Sequence, residues 1–297
     1  MIGDFNQLRC FITLAEELHF GRAAARLFMT QPPLSRQIQL LEEALGVRLF
    51  ERNSRMVRLT DAGEDFLASA INMLAMAEQS VKKAQKIQSG CAGHVSLGFT
   101  AVSGYSLLPH IINQANIHLP DIEITLKEMI SAKQVAELSA GTISLALMRP
   151  TIMSKSYLSH SRFHREPVVL AMPRDHALST CEKITLSDLR HQSFISYSPD
   201  DGRYFYELTL DLLADINPPP KFIQYLGQTH SILALVNAGM GIALVPTSAK
   251  KIGFSNVCFR PLWPSSRHSE VWLSWRNDQQ TAAEKTMRDF ILSLKSE

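Results

Sequence analysis

Residues 61–89 read as one long helix, and the apolar stripe along it means the chain cannot be a single compact body. Phe66, Ala70, Met73, Ala77, Val81, Ala84 and Gln88 recur at spacings of three and four, close to a coiled-coil seam, and Leu67, Leu74 and Ile87 widen it. At about 1.5 Å per residue the helix is about 44 Å long. Alone it cannot bury that stripe. Either it packs on its own domain, or it stands free as a linker that pairs with a second copy. Gly90 and Gly93 follow it as a hinge, which favours the linker. A chain of 297 residues is in any case too long for one core of ordinary size.

Ahead of this helix lie three shorter ones. Phe5, Leu8, Phe11, Ile12, Leu14, Ala15 and Leu18 form one apolar face. A second helix runs through Ala23, Ala24, Ala25 and Leu27, whose small side chains admit a close neighbour. The third spans about Pro32 to Leu45, with Thr30 as its expected cap and Gly46 as its stop. Leu34, Ile38, Leu41 and Leu45 make its inner face; Gln31, Ser35, Arg36 and Gln39 make its polar face. This is the layout of a helix-turn-helix, whose second motif helix enters the major groove by its N-terminal end. Arg can pair there with guanine and Gln with adenine. A three-helix packing unit with no DNA role is the competing reading. Val47–Phe50 and Met56–Thr60 then alternate apolar and polar residues around a turn, as a two-stranded wing does. Arg52 and Arg55 at its tip would reach the DNA backbone or minor groove.

The charge distribution agrees. Residues 1–60 hold eight Arg, no Lys and six acids, so the whole net charge of +2 sits in the first fifth of the chain. Arg48, Arg52, Arg55 and Arg58 fall within eleven residues. That cluster suits nucleic acid, although a solvated helix end and turn would look the same. Hydrophobic residues make up 45% and charged residues 20%, as in ordinary globular proteins. No apolar run is long enough to span a bilayer, no signal-peptide layout opens the chain, and Cys10, Cys91, Cys181 and Cys258 are scattered. A cytoplasmic location without membrane association is the expectation.

The segment from Leu18 to Gly63 carries His19-Phe20-Gly21-Arg22-Ala23-Ala24-Ala25-Arg26-Leu27 and Gln31-Pro32-Pro33-Leu34-Ser35-Arg36-Gln37-Ile38. It continues with Leu45-Gly46-Val47-Arg48-Leu49-Phe50-Glu51-Arg52 and Leu59-Thr60-Asp61-Ala62-Gly63. It closely resembles the signature of LysR-type transcription regulators, nearest the branch that responds to benzoate- or muconate-like aromatic-acid catabolites. The resemblance implies a multidomain α+β protein. A winged helix-turn-helix would occupy 1–60, a linker and dimerisation helix 61–90, and a two-lobed effector-binding domain similar to periplasmic solute-binding proteins 91–297. Lobe I would be about 91–161 plus 268–297, and lobe II about 162–267. By resemblance Gln31, Pro32, Ser35 and Arg36 are recognition-helix contacts, and Arg52 and Arg55 are wing contacts. The implied partners are double-stranded promoter or operator DNA, a small-molecule effector, and further copies of the chain as a homodimer or homotetramer.

Past Gly93 strands and helices alternate, the signal of α/β layers with mainly parallel sheets. Strands are expected at Val95–Thr100, Ile122–Met129, Ser144–Met148, Val168–Met172, Phe194–Tyr197, Phe222–Tyr225, Ile242–Val245, Val257–Phe259 and Val271–Trp275. Helices are expected at Tyr105–Ile117, Ala132–Ala140, Tyr204–Ala214, Ile232–Ala238 and Thr281–Leu294. Ligands of open α/β sheets bind at the carboxyl ends of strands. That rule selects Thr100, Val102 and Ser103 after the first strand, Ser131 after the second and Arg149 after the third. From the other lobe it selects Pro199, Gln228 and Thr229. Helix starts and an Arg together suit a small organic carboxylate. Taken singly, Ser103 and Ser131 could equally cap helices and Arg149 could equally make an interlobe ion pair; their convergence favours a pocket. Where the benzoate and muconate branch often uses Ser after the first strand, this chain has Val102. Trp263, Trp272 and Trp275 are expected to pack the return crossover.

Two other functions compete. An enzyme would need a nucleophile elbow, a metal cluster or a phosphate loop. None is visible: Gly239 and Gly241 follow a helix rather than a strand, and the histidines lack ligand spacing. No cofactor is therefore expected. A solute-binding protein would not carry the N-terminal module.

Overall fold

The computed structural model describes residues 4–53, 56–151, 156–264, 267–278 and 280–295, with backbone alone for 52 and 53. The chain divides into two units, residues 1–85 and 86–297.

In the first unit α1 (Phe5–Glu17) opens with a reciprocal cap. The Asp4 carboxylate accepts from the Gln7 amide, and the Gln7 side chain accepts from the Asp4 amide. Leu8, Phe11, Leu14 and Ala15 are buried, whereas Phe5 and Leu18, at the two ends of the expected face, are exposed. The His19 ring caps α2 (Phe20–Arg26) by accepting from the Gly21 and Arg22 amides. The expected cap at Thr30 does not form at the start of α3 (Gln31–Leu45). A cap accepts from the second or third amide of the helix, and those positions are Pro32 and Pro33, which have none. Gly46 ends α3 in the left-handed region, at φ 72°.

Strands β1 (Phe50–Asn53) and β2 (Met56–Leu59) pair antiparallel, Phe50 against Leu59 and Arg52 against Val57. Glu42 ties α3 to this wing, its carboxylate accepting from the Leu49 and Phe50 amides at 2.9 and 3.1 Å. The long helix α4 (Asp61–Gln88) starts where Thr60 Oγ1 accepts from the Gly63 amide. A Cβ at Gly63 would collide with the Leu49 carbonyl oxygen, so the glycine lets α4 lie directly on the wing. The stripe of α4 is divided. Ala70 is buried, and Phe66, Leu67, Met73 and Leu74 pack on the helix-turn-helix core, while Val81, Ala84 and Ile87 are exposed. Packing on its own unit thus accounts for the first half of the stripe only.

The second unit contains, in chain order, β3 (Gly93–Phe99), α5 (Ala101–Ser106), α6 (Leu108–His118), β4 (Ile122–Glu128), α7 (Ser131–Ala140), β5 (Leu145–Met148), β6 (Leu158–Pro173), β7 (Ile184–Thr185), β8 (Ser193–Tyr197), α8 (Arg203–Leu213), β9 (Lys221–Leu226), α9 (Thr229–Asn237), β10 (Ala243–Pro246), β11 (Val257–Trp263), β12 (His268–Arg276) and α10 (Ala282–Ser293). The main sheet runs β4-β3-β5-β12-β6-β11-β7, with β10 also beside β6. A separate parallel pair, β8–β9, touches β10 through one bridge between Phe194 and Ile242.

The sheet is mixed rather than mainly parallel. β3 is parallel to β4 and β5, but β12 is antiparallel to both β5 and β6, and β6 is antiparallel to β10 and β11. The cause is topological: β6 leads out of one half and β12 leads back in, so the two run in opposite directions. Residues 158–167 of β6 pair with β12, and residues 168–173 pair with β10 and β11. Each half has its own core, one around Val95, Leu97, Ile111, Leu145 and Met287, the other around Leu170, Phe194, Ile232 and Leu244.

Two further expectations change. The helix over Tyr105–Ile117 is really α5 and α6, broken at Leu107 ahead of Pro109. Trp263 does not pack the crossover; it is exposed, with the Lys183 ammonium 5.2 Å from its ring. Trp272 stacks on His160 at 4.2 Å, and Trp275 packs on the first core. No helix among the described residues is long and apolar enough to cross a membrane.

Candidate functional site

The first candidate is the outer face of α3. Leu34, Ile38 and Leu41 turn into the core, which leaves Gln31, Pro32 and Arg36 exposed and Ser35 half-buried. A Cβ at Gly21 would stand 2.8 Å from Gln31 Nε2, so the glycine brings the starts of α2 and α3 together. The basic residues fall into two groups. Arg22 and Arg26 are engaged by Glu17 and Glu16, at 3.3 and 2.6 Å. Arg36, Arg48 and Arg58 are exposed and form no ion pair among the described residues. Arg52 lies on β1 opposite Val57, and Arg55 lies outside the described residues. Phe28, between α2 and α3 at φ 54°, is almost wholly exposed, a feature the helical pattern does not signal.

The second candidate is a cavity of about 960 Å³ in the second unit. Thr100, Val102, Glu128, Met129, Ser131 and Arg149 line it from the half built on β3, β4 and β5. Tyr197, Pro199, Asp200, Asp201, Tyr204, Phe205, Gln228 and Thr229 line it from the other. Ser103 is not on its wall: it is fully buried, its hydroxyl 3.0 Å from Thr100 Oγ1. Ser131 does not act as a cap either. Ile130 holds that position, and the Ser131 hydroxyl accepts from the Arg149 amide at 3.0 Å.

Arg149 dominates the chemistry. It follows β5 and is only 4% exposed. Nη1 donates to the Glu270 carbonyl at 3.0 Å, Nη2 lies 3.7 Å from a Glu166 oxygen, and the Phe205 ring lies 4.7 Å from the guanidinium carbon. Nε and Nη2 donate to no acceptor. Burial pulls the Arg149 pKa down and Glu166 opposes it. Glu166 is itself held by the Ser248 amide and hydroxyl, at 2.6 and 3.0 Å. On the facing side the Tyr197 and Thr229 hydroxyls are 2.7 Å apart, and burial pushes the tyrosine pKa well above its ordinary value. Arg149 thus makes the ion pair with Glu166 and also lines the cavity, with Nε left without an acceptor.

Sequence reasoning missed Glu166, because no local pattern links it to Arg149. It also missed Asp200, Asp201, Tyr204 and Phe205, although these follow the end of β8 and the strand-end rule extended one turn further would have included them.

Residues 5–64 match the family described as "Bacterial regulatory helix-turn-helix protein, lysR family", and residues 88–295 match the "LysR substrate binding domain". The chain is 34% identical to the uncharacterized HTH-type transcriptional regulator YnfL of Escherichia coli K12, over 98% of both chains. It is 35% identical to the HTH-type transcriptional regulator AlsR of Bacillus subtilis 168, over 93% of this chain and 91% of that one. Full-length CbnR complexed with its target DNA superposes with a TM-score of 0.85 at 27% identity, covering 99% of this chain and 100% of that one. These relatives are regulators, not enzymes. An exposed recognition-type helix, a winged unit and a two-part cavity domain thus meet in one chain, which belongs to the LysR family of DNA-binding transcription regulators.

Proposed function

We propose that the cavity takes a small organic carboxylate, and that its occupancy controls how the protein acts on a promoter in the cytoplasm. One observation carries this reading: Arg149 is buried against the cavity, and neither its Nε nor its Nη2 makes a hydrogen bond, Nη2 lying 3.7 Å from Glu166. Unsatisfied buried donors are destabilising, and a carboxylate accepts two parallel N–H bonds from such a fork. Both halves of the unit line the cavity, so a ligand touching both favours the closed arrangement over the open one.

On DNA, Gln31, Pro32, Ser35 and Arg36 meet base edges in the major groove, with Arg52 and Arg55 on the backbone or minor groove. The protein works as a homodimer joined through the exposed part of the α4 stripe, and two such dimers form a homotetramer. Val81 and Ile87 support this, as large apolar side chains of the stripe left 57% and 49% exposed.

The test is a thermal-shift screen of small carboxylates against the full-length protein and its Arg149→Ala variant. A stabilising acid that the variant no longer binds is the expected result. A hit equally effective on both proteins would refute the reading.

A further inference from the structure

The cavity wall is more acidic than a site for a simple anion should be. Its ionisable residues are Glu128, Arg149, Asp200, Asp201, Arg203 and Glu207. Arg203 and Glu207 neutralise each other at 2.8 Å, exposed on α8. That leaves Arg149, itself held 3.7 Å from the buried Glu166, and three further carboxylates on the wall, Glu128, Asp200 and Asp201, none of which forms an ion pair among the described residues. All three are exposed, whereas Arg149 is buried, its Nε without an acceptor and its Nη2 reaching only Glu166 at 3.7 Å. The buried wall thus offers guanidinium N–H donors from an Arg149 already faced by Glu166, and the exposed carboxylates make the rim anionic. A ligand bearing only negative charge would gain at Arg149 and be repelled by the rim.

The acidic rim is a built part of the wall. A Cβ at Gly227 would stand 2.8 Å from the Asp201 Cβ, so the loop after β8 is packed on the loop after β9. The Asp200 amide donates to the Ser198 hydroxyl at 3.2 Å. Met129, Ile130 and Phe205 add apolar surface to the same wall.

We infer that the effector is a zwitterion of the amino-acid class, its carboxylate on Arg149 and its ammonium group against Asp200, Asp201 and Glu128. This rests on the carboxylate reading above and narrows it. The ammonium neutralises the rim that a plain carboxylate would meet as like charge, and its three donors suit oxygens arriving from both halves of the cavity. Plain organic acids are thereby rejected by the same residues that accept the amino acid.

The experiment is isothermal titration of the full-length protein with each of the twenty standard L-amino acids. Every binder is repeated as its des-amino carboxylic acid and as its decarboxylated amine. At least one amino acid should bind, with its des-amino acid at least tenfold weaker. The double substitution Asp200→Asn/Asp201→Asn should weaken the amino acid at least tenfold and leave the des-amino acid unchanged or tighter. These residues are exposed, so the unliganded melting temperature should stay put; if it falls, Glu128→Gln provides the same comparison.

Binding by no amino acid, equal binding of the des-amino acid, or indifference to the rim substitutions overturns the inference. The two levels remain separable. Plain acids that bind in an Arg149-dependent way while amino acids do not would sink the zwitterion alone. An amine that binds as well as its amino acid, with Arg149→Ala harmless, would sink the carboxylate reading too.

Discussion

Arg149 and Glu166 face each other 3.7 Å apart with side chains only 4% and 7% exposed. Two opposite charges are therefore held out of water where β5 ends and β6 passes between the halves. Removing one partner of such a pair leaves the other charge buried and uncompensated, which typically costs about 3–5 kcal/mol. Glu166→Gln keeps the shape and deletes the charge. It should lower the unfolding free energy by about 3 kcal/mol in urea titration. A loss below about 1 kcal/mol, the scale of a surface pair, would show that Arg149 does not depend on Glu166.

Gly63 is the point where α4 crosses the wing most closely. The obstacle to a side chain there is the Leu49 carbonyl oxygen, a backbone atom already fixed by β1 and by the Glu42 bonds. Gly63→Ala should therefore destabilise by about 1–3 kcal/mol, as overpacking generally does, although alanine favours helix. A thermal melt followed by circular dichroism would reveal it. An unchanged or raised midpoint would mean that α4 can move off the wing without loss.

Legibility in the sequence followed the range of the interactions. The inner face of α3, with Leu34, Ile38 and Leu41, was visible because one helix carries the whole pattern. The missing cap at Thr30 was also legible in principle, since Pro32 and Pro33 follow it. The first half of β6 was not. Its Leu158–Pro167 segment is rich in His, Ser and Arg, and it is a strand because β12 lies beside it, a partner about a hundred residues away. The cavity was half visible. Strand ends pointed to Thr100, Ser131 and Arg149, while Ser103, one helical turn from Thr100, is turned inward and bonded to it. Glu166 and the Asp200–Asp201 rim depend on how the halves face each other, and no local spacing encodes that.

The exposed face of α3 and the exposed Arg58 of β2 should fail in different ways. Gln31→Ala, at the start of α3, should relax the choice of base at one position, costing about 1–3 kcal/mol on the preferred site. Arg58→Ala removes an exposed cation that forms no ion pair among the described residues. It should weaken all sequences about equally and reduce the salt slope by about 1. Mobility-shift titrations on matched and scrambled sites at two salt concentrations separate the two. A uniform, salt-dependent loss from Gln31→Ala would remove it from base recognition.

Val81 and Ala84 are exposed on the α4 stripe, beyond the stretch that packs on the helix-turn-helix core. If a second copy covers them, a charge there has to be buried at the joint. Val81→Glu/Ala84→Glu should convert the assembly to monomers in sedimentation experiments, with the melting of the second unit unaltered. An oligomer of unchanged mass would place the joint elsewhere.

His164 adds a pH dependence. It is half-buried on β6, and desolvation, helped by the Arg149 and Lys251 charges, holds its pKa below the ordinary 6.5, with Glu166 opposing. The unfolded chain therefore takes up this proton first as pH falls. Stability from this group is complete above about pH 6.5 and is lost as pH drops below it toward the depressed folded value. His164→Gln removes the titration and should shrink the fall in melting temperature between about pH 7.5 and pH 5.5. The ten histidines of the chain share this range, so the comparison is the difference in slope between wild type and variant. Parallel slopes would mean that His164 is as easily protonated in the fold as outside it.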